Sequence, residues 1–290
     1  MQRRDFLLAL AAAPAIPHLT RQSNEDRRRL VTWTMALRHE PPLHTLGARA
    51  VRVGELAAGS PYTPYTLEAY LKAGGSPATE PLTLSLTQFD CVTLVESCLA
   101  VARGSAINGD PTWDRFALLV QQMRYRGGTR EGYASRLHYF SEWIQDGVAR
   151  GLVKDLSADL GGMVDDRPLR FMSEHRASYP ALADDRTFDQ IKAMERRLDA
   201  VARRPVPVAA IPGVMDGIQS GDVLAFATSI EGLDVTHSAF AYRDKDNVLR
   251  VLHAPLSGGV VEVTRKTLPE YVGAIRKATG ILVARPIRGG

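Results

Sequence analysis

Only two of the 290 residues are cysteines, aromatics make up 7%, and no apolar run reaches the roughly 20 residues that a membrane-spanning helix needs. The shortage of cysteine excludes a disulfide-stapled scaffold. The lack of long apolar runs argues against an integral membrane protein. The 24 glycines and 17 prolines exclude collagen-like and low-complexity chains. Charge is almost balanced, at +4 overall. Residues 1–29 hold six arginines against three acidic residues, so the other 261 residues carry only +1. A field confined to one end is not the basic stripe that tracks phosphates, and nucleic acid is not an expected partner. What remains is an ordinary globular composition, 45% hydrophobic and 23% charged, of a length that suits one large domain or two small ones.

The N-terminus reads MQRRDFLLALAAAPA. Two arginines, a short apolar run from Phe6 to Ala13 and the small residues Ala13-Pro14-Ala15 make a secretory signal over residues 1–19. The Arg3-Arg4-x-Phe6-Leu7 pattern resembles a twin-arginine signal, although Gln2 stands where Ser or Thr is usual. The expected location is therefore periplasmic, with a single domain over residues 24–290. Cys91 and Cys98 lie seven residues apart in DCVTLVESCLAVA, which reads as one helix. Two helical turns separate their Cα atoms by about 10 Å, too far for a disulfide. Each is expected to be a free thiol.

Helical periodicity marks residues 24–39 (with Asn24 as cap), 90–102, 113–123 and 138–151, and recurs in RTFDQIKAMERRLDAVARR. Residues 43–80 read as loops around one short helix near Leu67–Leu71, and RPVPVAAIPG as extended chain. The last third differs. GDVLAFAT, DVTHSAFAY, VLRVLHAP, VVEVT and ILVARPI are short apolar and β-branched runs separated by turn signals, as in an antiparallel sheet. Helices first and sheet second make an α+β fold.

In TQFDCVTLVE, Asp90 is placed to cap a helix and Cys91 falls in its first turn, where the partial positive charge favours thiolate. Cys98, two turns on, reads as a small buried hydrophobe. A nucleophilic cysteine needs a base, usually histidine. Strand alternation puts Val235, His237, Ala239 and Ala241 on one face. A hairpin through RDKDN sets opposite each other residues whose numbers sum to about 490, which brings His253 across from His237. One histidine can take the thiol proton while the other fixes its ring.

These segments resemble the NlpC-type branch of papain-like cysteine peptidases, and most closely its N-acetylmuramoyl-L-alanine amidase-like group. The resemblance rests on GSPY, DCVTLVE, YASRLHYFSEWI, GDVLAF leading into LDVTHSAFAY, and VLHAP, in that order over residues 28–288. HAP departs from the group, which tends to carry Ser after the Ala. The resemblance implies a cysteine helix packed on the sheet and a Cys91-His237-His253 triad. The implied reaction is hydrolysis of the amide between N-acetylmuramic acid and L-alanine in peptidoglycan fragments, without a cofactor. The Cys91 amide, aided by Tyr62, would hold the oxyanion. Arg136 is expected to clamp substrate carboxylates, and His138, Tyr139 or Trp143 to form a sugar-facing wall, with core packing as the alternative for the aromatics and a structural ion pair for Arg136. The rival readings are a γ-D-glutamyl stem-peptide endopeptidase, a zinc site built from Cys91, His237 and His253, and a wall-binding module without catalysis.

Overall fold

The structure, a computed structural model, describes residues 22–40, 43–256 and 259–287. The expected signal over residues 1–19 lies outside them. Ten helices are described: α1 (Asn24–His39), α2 (Leu46–Leu56), α3 (Ala69–Lys72), α4 (Cys91–Ser105), α5 (Trp113–Arg124), α6 (Phe140–Ala149), α7 (Phe171–Glu174), α8 (Asp185–Leu198), α9 (Ile211–Val214) and α10 (Leu268–Gly273). The strands are β1 (Val153–Asp155), β2 (Val206–Pro207), β3 (Val223–Thr228), β4 (Val235–Arg243), β5 (Leu249–His253), β6 (Glu262–Val263) and β7 (Ala278–Pro286). They form one antiparallel sheet in the order β1-β7-β3-β4-β5-β6, with β2 also paired to β7. The fold is α+β. None of the described helices is long and apolar enough to cross a membrane.

Alternation along the strands splits the core in two. Val223, Ala225, Phe240, Leu252, Leu282 and Ala284 pack with residues of α1, α2, α4, α5 and α6. Leu224, Phe226, Ala239, Ala241, Val251, Ile281 and Val283 turn the other way, onto Leu268 and Val272 of α10 and onto Leu156, Ile211 and Ile218. The buried Leu94, Val95, Cys98, Leu99 and Ala102 make α4 the central helix of the first layer. A third cluster joins Tyr133, Tyr139, Leu169 and Leu182 to Ile191, Met194 and Leu198 of α8. The stretch before α8 thus wraps this amphipathic helix.

Some expectations need correction. The cap of α1 is Ser23, in a reciprocal capping box with Asp26, rather than Asn24. RPVPVAAIPG is extended only at β2 and then turns into short helices. Helix α2 occupies residues read as loop. Its glycines hide it in the sequence but serve packing: a Cβ at Gly47 would sit 3.0 Å from the Gly221 backbone, and one at Gly221 would sit 2.1 Å from Gly47. Close crossing of two backbones outweighs the low helix propensity of glycine here.

Candidate active site

Asp90 caps α4 by accepting from the Thr93 amide at 2.7 Å, and the Thr93 hydroxyl accepts from the Asp90 amide at 2.9 Å. The helix therefore begins at Cys91, whose amide, like every first-turn amide, has no intrahelical acceptor. Helix α4 packs against β4. Cys91 is half-buried there, and the Ser238 amide and hydroxyl face its sulfur. The buried Ser238 hydroxyl has no partner of full hydrogen-bond geometry. The two cysteines are free thiols, and Cys98 is buried in the core.

Strand β4 is anchored where it begins. Asp234 accepts from the Ser141 amide at 2.8 Å and so caps α6 from outside that helix. A bulge follows: Phe226 pairs with His237 but Ala227 with Val235, leaving Thr236 as the extra residue. The bulge puts Val235 on the helix-layer side, away from Ala239 and Ala241, so the expected single face from Val235 to Ala241 is broken. His237 stacks on Phe226 at 5.7 Å between centroids.

The β4–β5 register is Phe240↔Leu252 and Ala241↔Val251, a sum of 492 rather than about 490. A shift of two keeps each side chain on its face. The two histidines are therefore diagonal neighbours at the end of the ladder rather than directly opposed. Their rings still meet, with His237 Nε2 2.9 Å from His253 Nδ1. Tyr271 of α10 adds its hydroxyl 3.2 Å from His253 Nδ1. His237 Nδ1 has no hydrogen-bond partner among the described residues, a free position suited to a proton acceptor.

Electrostatics change one expectation. Burial, and next the Asp90 carboxylate, push the Cys91 thiol up to about 11, against the Ser238 and Val92 groups that favour thiolate. Burial, and next the neighbouring His253, lower His237 to about 3; burial alone lowers His253 to about 4. The thiol rests neutral, and so do the two imidazoles, unlike the thiolate expected at a helix start. Desolvation outweighs the helix-end field.

Tyr62 stands beside Cys91. Its amide donates to the Gly259 carbonyl at 2.8 Å, and it bridges to Phe89, just before Asp90. Burial and the nearness of Cys91 push its phenol up to about 12. Its hydroxyl makes no hydrogen bond among the described residues.

The other expected binding residues sit elsewhere in the interior. Arg136 is buried, held by Glu68 at 2.5 Å and Glu80 at 3.1 Å, with its guanidinium 4.8 Å from the Tyr133 ring centre. Its charge is engaged within the fold, so it is not a free clamp. His138 Nε2 lies 2.8 Å from the Tyr133 carbonyl, and its ring packs on Tyr133. Tyr139 is buried and donates to Glu195 at 2.7 Å, and Trp143 is buried against Phe140. Tyr139 and Trp143 thus take the core-packing alternative, while His138 is half-buried. Tyr271 and Glu262 escaped notice because no spacing in the sequence ties α10 or β6 to the cysteine, and Ser238 because strand alternation points to the face of His237 instead. Among the described residues, no three His, Cys, Asp or Glu side chains gather as a metal ion would require.

No curated protein matches the sequence. Solved structures do. An N-acetylmuramoyl-L-alanine amidase from Bacteroides uniformis is 30% identical with a TM-score of 0.76, over 83% of this chain and 99% of that one. A Bacteroides fragilis protein provisionally named a xylanase is 32% identical with a TM-score of 0.73, over 80% and 99%. A Legionella pneumophila protein at 17% identity and a TM-score of 0.65 shares the fold over 92% and 97%. The sequence pattern of the N-acetylmuramoyl-L-alanine amidase-like family matches residues 52–281, and the chain belongs to that family.

Proposed function

We propose that the protein is a cysteine amidase with an NlpC-type, papain-like core, and that it hydrolyses the bond between N-acetylmuramic acid and L-alanine in peptidoglycan fragments. One observation carries this reading. The Cys91 sulfur lies against Ser238, the neighbour of His237, while the far ring nitrogen of His237 is held by His253 at 2.9 Å. The order thiol, imidazole and orienting group is the one that nucleophilic catalysis requires.

In this reading, the Cys91 sulfur attacks the muramoyl carbonyl as its proton passes to His237 Nδ1. The developing oxyanion is met by the free Cys91 amide and the Tyr62 hydroxyl. His237 then protonates the nitrogen of alanine, the carbon–nitrogen bond breaks, and a muramoyl thioester stays on Cys91. Water, deprotonated by His237, releases the muramoyl acid and restores the thiol. Because both partners start neutral, proton transfer and attack are coupled. A glycosidase would instead need two carboxylates flanking the cleaved bond. The groups gathered here are a thiol, two imidazoles and phenols; the Asp90 carboxylate is taken up by the helix cap and that of Glu262 faces His253. The N-terminal twin-arginine-like pattern supports a periplasmic location, where muropeptides occur.

Incubating a muramoyl-tripeptide with the enzyme and weighing the products by mass spectrometry tests the reading. The expected products are the muramoyl acid and a peptide with a free L-alanine terminus, absent with Cys91→Ala. Cleavage after D-glutamate would make it an endopeptidase instead. Turnover lost to a chelator but insensitive to thiol alkylation would sink the cysteine mechanism.

A further inference from the structure

His253 Nδ1 has one in-plane position, a lone pair or a hydrogen, and two neighbours, His237 Nε2 at 2.9 Å and the Tyr271 hydroxyl at 3.2 Å. At the other end of the ring, Nε2 is buried and has no hydrogen-bond partner. The charge that faces it is the Glu262 carboxylate, with Oε1 at 3.9 Å. Glu262 is the residue paired with His253 across β5 and β6. A nitrogen facing a carboxylate is favoured when it carries hydrogen, because a lone pair there would be repelled. The Tyr271 hydroxyl has no other partner among the described residues, and donating to Nδ1 satisfies it. If His253 Nδ1 accepts, His237 Nε2 must be the donor. The proton of His237 is then on Nε2, and its Nδ1 lone pair stays free.

We propose that Tyr271 and Glu262 are positioning residues that hold His253 as the Nε2–H tautomer and thereby keep His237 with a free Nδ1 lone pair. The opposite arrangement would aim a lone pair at Glu262 and put hydrogen on His237 Nδ1, where it cannot accept a thiol proton. When His237 becomes cationic during turnover, the same chain leads from His237 through His253 to the Glu262 carboxylate. The catalytic consequence rests on the amidase reading; the tautomers themselves do not.

Long-range proton–nitrogen NMR correlations on the full chain, with ¹⁵N-histidine at pH 7, read the tautomers directly. Both His237 and His253 are expected as Nε2–H. Tyr271→Phe and Glu262→Leu are expected to raise the Nδ1–H form of His253 and to lower kcat on the order of tenfold with KM little changed. Glu262→Gln, which keeps an acceptor oxygen, is expected to recover most of the loss. An Nδ1–H signal for His253 in the unaltered protein overturns the proposal, as do unchanged tautomers in both variants. Glu262 is half-exposed, so its variants serve if Tyr271→Phe does not fold. Expected tautomers in a protein that does not cleave muramoyl-L-alanine would sink the amidase reading and leave this proposal standing. Amidase activity with the opposite tautomers would sink this proposal alone.

Discussion

Helix α4 touches two polar clusters built on opposite terms. At its first residue, Cys91 meets Ser238 in a cluster whose thiol and imidazoles are neutral, with several positions lacking a hydrogen bond: the Ser238 hydroxyl, His253 Nε2 and His237 Nδ1. Further along, Glu96 is buried against Arg124 at 2.7 Å, and Arg124 also donates to the Thr83 carbonyl at 2.5 Å. Arg136 beyond it is locked between Glu68 and Glu80. The second cluster sets each of its carboxylates against an arginine, although burial pushes the Glu96 carboxyl up. In the first, burial keeps the thiol and imidazoles neutral and leaves hydrogen-bonding capacity unspent. Unspent capacity is available to a substrate, whereas cancelled charge is available only to the fold.

The largest effect should come from the first cluster. His237→Asn is expected to lower turnover by about 10²–10⁴-fold while thermal unfolding barely moves, since only a proton acceptor is lost. Steady-state kinetics beside a melting curve would decide this, and a large drop in Tm with turnover intact would reverse the contrast. Arg136→Met is expected to behave oppositely. It leaves Glu80 and Glu68 without a cation, at a cost of about 3–5 kcal/mol in denaturant unfolding, with activity per folded molecule kept. A tenfold rise in KM with unchanged stability would instead restore the clamp.

A pH series sharpens the comparison further. The Cys91 thiol is raised to about 11, so the neutral form is the resting one below that pH. Alkylation by iodoacetamide should then climb about tenfold per pH unit from pH 6 upward, with no plateau near 8.5. Full-speed labelling at pH 6 would reveal a thiolate–imidazolium pair and break the description of the site as neutral. The smallest effect is expected at Cys98, raised by burial alone. Cys98→Ala should cost on the order of 1 kcal/mol and leave kinetics untouched.

Much of the architecture was legible in sequence because periodicity reports burial. Residues 24–39, 113–123 and the five late strand segments each repeat at their own element's period and appear close to where that period puts them. Asp90 and Cys91 were legible for a local reason, since a cap acts within three residues. For Arg136, His138, Tyr139 and Trp143 the sequence left a binding and a structural reading open, and the partners found are those of the structural one. A sequence motif shows that such residues stand near a site, but not whether their partners are substrate or Glu80, Tyr133, Glu195 and Phe140. Helix α2 was missed because the reason for Gly47 is Gly221, far away in the chain.

By itself the sequence determined the α+β class, the capped start of α4, the free thiols and the family, since each depends on side-chain period, short-range capping or ordered motifs. Tertiary structure decided which charges survive and where protons rest. Those depend on desolvation and on groups brought together from distant segments: Ser238 against Cys91, Tyr271 and Glu262 around His253, Glu80 beneath Arg136. A thiol at a helix start is acidified in water, but the same thiol packed against a sheet is not, because losing solvent costs a charge more than one helix end returns.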